Sequence, residues 1–319
     1  MHSGPSRALQ IAGRNLQLDT ATIEVASSLR SHDVRFLLLK GPTIARWLYE
    51  DASEREYTDC DLLIDPERFE QASLDLASLG FDCLPTEDRP SGVPFHTQNW
   101  IRSKDGAIVE LHHYLVGVRT DPQSAFDKLF QGSTNVALRG HSVPALGLPG
   151  RALHLALHAA QHGRGFPKAL EDLERGVTQL PISLWSEATD LAYRIKATDA
   201  LVGGLGLVTR GPSLIADLKL PRHSSREVAL LALSAGTFSM GLEWLSQARG
   251  WRAKARYILR MLLPTPDYIR SQTGRLEAKG AQLGYLYLLR WTSQVRRAPR
   301  GFAQWIEAWR RSRKGKPPT

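Results

Sequence analysis

The sequence predicts an α+β protein: a small α/β unit with a mixed sheet, followed by a mostly helical part. Three observations predict it. Short apolar runs punctuated by Gly, Pro and Asp crowd the first 117 residues, the pattern of buried strands between turns. Beyond Pro149 nearly every apolar residue recurs at helical spacing. The charge also divides: Pro221 to Thr319 carries 19 Lys+Arg against 5 Asp+Glu, whereas the first 220 residues carry 22 against 27. At 319 residues, and roughly 100–200 residues per domain, two domains are expected, residues 1–118 and 119–319.

The elements follow in order. Thr20 to Leu29 has the apolar spacing of a helix through Ile23, Val25, Ala26 and Leu29. Arg35–Leu39 is an apolar run stopped by Lys40-Gly41-Pro42, so it reads as a buried strand entering a turn. Pro42 suits the first turn of a helix, and Ile44, Ala45, Leu48 and Tyr49 supply its apolar stripe. Cys60–Ile64 is a second strand, ended by Asp65-Pro66. Glu67–Leu79 is an amphipathic helix closed by Gly80. Phe81–Leu84, Trp100–Arg102 and Ala107–His113 complete the strands, and a hairpin is expected at Asn135–Val143 with Arg139-Gly140 as its turn. Helices are expected over Ala152–His162, Lys168–Val177, Leu184–Asp199, Val228–Ser246, Arg252–Leu263 and, with breaks, Tyr285–Arg313. The tail from Arg310 has the composition of a disordered segment.

Composition excludes several classes. Two cysteines, Cys60 and Cys83, cannot build a disulfide framework. The N-terminus lacks the pattern of a signal peptide, and no apolar run approaches the ~20 residues that span a bilayer. A cytoplasmic protein is expected, with an anionic partner, RNA or an acidic surface, for the basic C-terminal part.

Chemistry concentrates around Asp59-Cys60-Asp61. Residues i and i+2 of a strand share a face, so two carboxylates would project together and raise each other's pKa unless a cation neutralises them. Hard oxygen ligands favour Mg²⁺ or Mn²⁺. Glu110, a single acid amid the apolar strand Ile108-Val109-Glu110-Leu111, is the candidate third carboxylate. The competing reading is a polar strand end with no ion. Upstream, the strand–Gly–helix turn at Lys40-Gly41-Pro42-Thr43 offers backbone N–H groups to an anion.

The run "LLLKGPTIARWLYEDASEREYTDCDLLI" resembles the signature of the uncharacterised nucleotidyltransferase family, a branch of the polymerase β-like superfamily. "IVELHHYL" resembles its third-carboxylate strand, "HLALHAAQHGRGFPKALEDLERG" its helical segment and "RMLLPTPDYIR" a segment near its C-terminus. The resemblance implies a polymerase β-like catalytic domain followed by a helical substrate- or nucleotide-binding domain. It implies a metal-dependent transfer of NMP from an NTP, with ATP the expected donor, to an unknown acceptor, releasing pyrophosphate. By it, Asp59, Asp61 and Glu110 bind metal and are catalytic, while Lys40, Gly41, Thr43, Arg55, His162, Lys168 and Asp172 serve nucleotide binding. Gly-Ser, usual at the superfamily's phosphate turn, is replaced here by Lys40-Gly41-Pro42-Thr43, and the third acid is a Glu.

Other features admit two readings each. His154, His158 and His162 fall at i, i+4 and i+8, a spacing that can bind metal; without a nearby Cys or a His-Glu-x-x-His pattern, packing, hydrogen bonding or nucleotide contact accounts for them as well. His112 shares the face of Glu110, and His113 points away. Phe302, Trp305, Ile306 and Trp309 form a stripe on a basic helix that suits packing on its own chain, nucleic acid or an anionic membrane. The functional alternative is a non-catalytic regulatory or nucleic-acid-binding protein on the same scaffold. A kinase is disfavoured by the lack of a Gly-rich loop and a His-Arg-Asp motif.

Overall fold

The structure, a computed structural model, describes residues 7–84, 96–221, 225–232, 241–243, 245–246, 250–275 and 277–313. The chain begins with α1 (Arg7–Ser31) and β1 (Phe36–Leu38), then α2 (Pro42–Leu48), β2 (Cys60–Ile64) and α3 (Phe69–Ser78). The strands β3 (Asp82–Cys83), β4 (Thr97–Arg102) and β5 (Ala107–His112) follow. Next come α4 (Pro122–Gln131) and the hairpin β6 (Thr134–Leu138) and β7 (His141–Ala145). All seven strands form one mixed sheet in the order β3-β4-β5-β2-β1-β7-β6. β1 runs antiparallel to β2 and parallel to β7, and β2 runs parallel to β5. The hairpin turns at Arg139-Gly140, as expected, and adds two strands to the sheet of the preceding unit.

The sheet is covered on both faces, which is why its central strands read as continuous apolar runs. Strand alternation sorts the residues. Phe36, Leu38, Leu62, Ile64, Val109 and Leu111 face one way and pack with Val25 and Leu29 of α1 and Leu76 of α3. Leu37, Leu39 and Leu63 face the other way and join the core of the helical part. Asp61 and Glu110 belong to that second face, so the strand period delivers the carboxylates to the side where the two halves of the chain meet.

The helical part is built around α5 (Leu148–His162), whose Leu153, Ala156 and Ala160 are buried on several sides. Around it stand α6 (Pro167–Gln179), α7 (Ile182–Arg194) and α8 (Thr198–Leu205), with α9 (Gly211–Asp217) beyond. A Cβ at Gly204 would lie 2.0 Å from the Ala156 carbonyl oxygen, so α8 approaches α5 through a residue that has no side chain. The chain continues through α10 (Arg226–Ala232), α11 (Trp251–Leu262), α12 (Pro266–Thr273) and α13 (Gly280–Arg313).

Four differences from expectation have physical causes. α1 already includes residues 7–19, ahead of the expected start at Thr20: its first half turns polar residues inward, with Asn15 and Asp19 buried and holding the segment ahead of β2, which leaves no apolar stripe to read. Asn15 Nδ2 donates to the carbonyls of Ala52 and Arg55, its Oδ1 accepts from the Tyr57 N–H, and Tyr57 Oη donates to Asp19. α4 was not expected; Asp121 caps it by accepting from the Ser124 N–H, with Pro122 at its first position. The expected Leu184–Asp199 helix is two, because Lys196 adopts a positive φ between α7 and α8. β4 is longer than its apolar part, since Thr97, Gln98 and Asn99 extend the ladder with polar side chains. Part of the expected Val228–Ser246 helix, and the tail beyond residue 313, lie outside the described residues.

Candidate active site

The floor of the site is set by strand register. Asp61 on β2 pairs with Glu110 on β5, and Glu110 pairs with Asn99 on β4, so three polar side chains lie across three adjacent strands on one face. Asp59 stands just ahead of β2 and reaches the same cavity. His112, two residues beyond Glu110 on the same face, brings its Nε2 to 3.0 Å from Asp61 Oδ1 and 3.6 Å from Glu110 Oε2. Lys40, at the exit of β1, places its Nζ 3.0 Å from the same Asp61 Oδ1. Asp61 is fully buried beneath Lys40 and His112.

The charges of this cluster are interdependent. Burial opposes ionisation of Asp61, but Lys40 and the hydrogen bond from His112 hold its pKa well below the usual carboxylate range. Burial, then the charge of Asp61, pushes Asp59 up to about 6. Burial would lower Lys40, yet Asp61, Asp59 and Glu110 together raise it and keep it charged. His112 is likewise raised: burial works against its proton, and its hydrogen bonds to Asp61 and Glu110 outweigh burial. Lys40 and the His112 ring thus answer three acids.

The residues fit a hard divalent cation. Ligand atoms of Asp61, Glu110 and His112 all lie within 4.8 Å of one another, and the donor set is predominantly carboxylate. Asp61 Oδ2 is buried with no hydrogen-bond partner among the described residues, and the same holds for Asn99 Oδ1. A buried carboxylate oxygen left in this state carries its full desolvation penalty, which a bound cation would relieve.

Above the floor lies a cavity of about 360 Å³, within the range of small-ligand sites. Its far wall is α5, presenting His154, His158 and His162, and the segment entering α6, presenting Phe166. The His158 and His162 rings meet edge-on at 4.6 Å between centroids, and His162 lies 5.1 Å from Phe166. Burial drives all three histidines toward the neutral form, taking His154 down to about 3. The wall is therefore aromatic and uncharged, while the floor is ionic. His113 points to the other side of the sheet and packs on Phe69 at 4.4 Å, as expected.

The remaining expected residues divide by depth. Gly41 caps α2 with φ 69°, a conformation that favours glycine, and its carbonyl accepts from the Ala45 N–H. Thr43 is buried and its Oγ1 donates to the Leu39 carbonyl at 3.1 Å. Arg55 and Asp172 lie under the turn in a bidentate pair: Nε at 2.8 Å and Nη2 at 2.6 Å from the two carboxylate oxygens, with Tyr49 Oη donating to Asp172 at 2.8 Å. Arg55 Nη1 also donates to the Gly41 carbonyl at 3.4 Å. Lys168 Nζ donates to the Glu56 carbonyl, and burial and nearby Arg55 lower its pKa. The pair thus ties the Gly41 turn to α6. Thr97, Asn99, His96 and Phe166 line the cavity without having been singled out. The alternation Thr97-x-Asn99 opposite His112-x-Glu110 is the signal that could have revealed the first two.

Comparison with known proteins places the chain. No curated protein matches it in sequence. Among solved structures, the antibiotic-resistance factor ANT(2″)-Ia aligns over 56% of this chain and 93% of its own, at 12% identity and a TM-score of 0.39. An antigenic nucleotidyltransferase-like protein from Paracoccidioides brasiliensis aligns over 66% and 96%, at 16% identity and 0.36. The lincosamide antibiotic adenylyltransferase LnuA aligns over 48% and 91%, at 12% identity and 0.31. The profile of the uncharacterised nucleotidyltransferases matches residues 5–210, the span that holds the whole sheet, the carboxylates and α5 to α8, and the chain belongs to that family.

Proposed function

We propose that this protein is a metal-dependent nucleotidyltransferase that moves NMP from an NTP, with ATP the first donor to test, to an acceptor with release of pyrophosphate. One observation carries the reading: Asp59 and Glu110 line a cavity large enough for a small ligand, and Asp61, in register with Glu110 on the adjacent strand, is buried just beneath its floor. Asp59, Asp61 and Glu110, with His112 adjoining, would hold Mg²⁺ or Mn²⁺. When bound, such an ion supplies Lewis-acid stabilisation of charge on phosphate oxygens.

The chain's own residues supply the rest. Lys40 and the Gly41 turn bring positive charge and backbone to the phosphates, with Thr43 buttressing the turn from beneath. Arg55 and Asp172 hold that turn against α6, and Lys168 fixes the segment before Asp59. His162, with Phe166, offers a neutral face for a planar ring. The acceptor oxygen would bond to the α-phosphorus as the bond to the bridging oxygen breaks. Its proton passes to base or solvent.

A second reading has an observation of its own. The ammonium of Lys40 already neutralises Asp61, which is what a scaffold that retained the fold without catalysis would show. Thermal unfolding with each of the four NTPs, with and without Mg²⁺ or Mn²⁺, separates the two. A ligand at 100 times its Kd adds about 2.7 kcal/mol. A metal-dependent rise lost in Asp59→Ala/Asp61→Ala supports the transferase. The same midpoint under all conditions favours the scaffold.

A further inference from the structure

The C-terminal helices carry apolar surface that the fold does not use. On α11, Trp251, Ala255, Ile258 and Leu262 recur at i, i+4, i+7 and i+11, all exposed, with Leu259 beside them. Trp251 is 74% exposed, whereas Tyr257 on the opposite side of the helix is buried. On α13, Leu288, Trp291, Val295 and Phe302 continue the same spacing, and Val295 is 72% exposed. The two stripes adjoin, because Trp291 Nε1 donates to the Leu262 carbonyl at 2.7 Å. The stripe expected further along α13 behaves differently: Trp305 turns inward, donating to Glu243 Oε2.

Cations border this surface. At 100° per residue, Lys254 lies on one edge of the α11 stripe and Arg252 and Arg256 on the other. On α13, Arg296 and Arg300 follow the exposed Leu289 at i+7 and i+11, on one side of the stripe. All five are exposed, and among the described residues none forms an ion pair, unlike Arg226 and Arg270, which pair with Glu243 and Asp267. No described helix is long and apolar enough to cross a membrane.

We propose that α11 and α13 dock the protein on an anionic lipid surface, lying in its plane with the apolar stripe in the acyl boundary and the basic edges among the headgroups. Apolar residues flanked by Lys and Arg on a helix of low mean hydropathy are the features of interfacial helices. Charge complementarity selects this occupant. A second copy brought face to face would set five cations against five. RNA would leave the aliphatic Ile258, Leu259, Leu262, Leu288 and Val295 without a stacking role. The inference is independent of the transferase reading, since the surface lies outside the cavity and shares no residue with it.

The test is co-sedimentation of the full chain with phosphatidylcholine vesicles, with and without phosphatidylglycerol, at low and high salt. Binding to the anionic vesicles alone, weakened by salt, is expected, with a blue shift of tryptophan fluorescence. Lys254→Glu/Arg256→Glu should lower vesicle affinity at least about 25-fold, roughly fivefold for each cation removed. Trp251→Ser/Leu259→Ser should lower it without changing the salt dependence. All four positions are exposed, so the circular dichroism and thermal midpoint of both variants should match wild type. Equal sedimentation with neutral vesicles, or none with anionic ones, overturns the proposal. So does self-association by light scattering, or retention of an RNA, by a chain that leaves anionic vesicles unbound.

Discussion

Replacing Asp172 with Ala should unfold this protein at a markedly lower temperature, and the structure sets the size of the effect. Asp172 is 1% exposed and accepts three hydrogen bonds, two from Arg55 and one from Tyr49, at 2.6 to 2.8 Å. Removing it leaves the Arg55 guanidinium buried without its counter-charge. Breaking a buried pair from one side costs about 3–5 kcal/mol, because the remaining charge keeps its desolvation penalty. At about 2 °C per kcal/mol for a chain of this size, the midpoint should fall by about 6–10 °C. The double variant Arg55→Met/Asp172→Leu removes both charges and should recover most of the loss, since well-packed apolar replacements of buried pairs are close to neutral. Thermal unfolding by far-UV circular dichroism at pH 7.5 measures all three proteins. A midpoint for Asp172→Ala within 2 °C of wild type, or a double variant no better than the single, would refute the argument that the pair is a buried tie and not a surface contact.

Other consequences are equally direct. Lys40→Met removes the ammonium that shares Asp61 Oδ1 with His112, so Mn²⁺ should bind more tightly by calorimetry in the absence of nucleotide; weaker binding would mean that Lys40 shapes the carboxylates and does not compete with the ion. Glu110→Gln removes an acid from the floor, and Mn²⁺ affinity should fall at least tenfold, about 1.4 kcal/mol, while the midpoint without metal stays the same or rises as repulsion is relieved. The buried histidines should make the fold acid-sensitive. The folded pKa of His154 is about 3 against 6.5 unfolded, so its contribution is present above pH 6.5 and is lost as pH falls toward 3, on the order of 1 kcal/mol per pH unit. Asp59, raised to about 6, acts with the opposite sign, favouring the fold below about pH 4 and losing that contribution as pH rises through 6. The observable is therefore a difference: urea midpoints of wild type and His154→Gln should converge as pH falls from 7 to 4, and parallel curves would show that His154 takes up its proton in the fold.

Legibility followed burial. β2 was readable to the residue because both its faces are covered, and Asp59, Asp61 and Glu110 stood out as acids against apolar surroundings. α5 was readable from its period, although Leu148 to Arg151 at its start was missed. What escaped was polar on the inside. The first half of α1 buries Asn15 and Asp19, and β4 begins with Thr97, Gln98 and Asn99, so neither shows the apolar period on which sequence reading depends. Arg55 and Asp172 were visible as charged residues 117 positions apart, but nothing in their spacing could show that they meet each other beneath the Gly41 turn.

That pairing explains why the site needs both halves of the chain. The carboxylates belong to the sheet, but the Gly41 turn is held from the helical side: Asp172 on α6 grips Arg55, Arg55 reaches the Gly41 carbonyl, and Lys168 on the same helix fixes the Glu56 carbonyl just before Asp59. The hairpin adds to the argument, since β7 pairs with β1 at Leu38↔Ala145 and leads directly into α5, whose histidines form the far wall. A cut at residue 118 would therefore keep every acid and lose the wall, the strand beside β1 and the tie on the turn. We propose that the working unit runs from α1 through α10, whose Val228 joins the core beside α5 and α8, with α11 to α13 beyond it as an attachment. A fragment ending after α10 should retain the metal-dependent nucleotide response of the full chain while losing its affinity for anionic vesicles. A fragment that lost both would show that α11 to α13 hold the rest of the fold together.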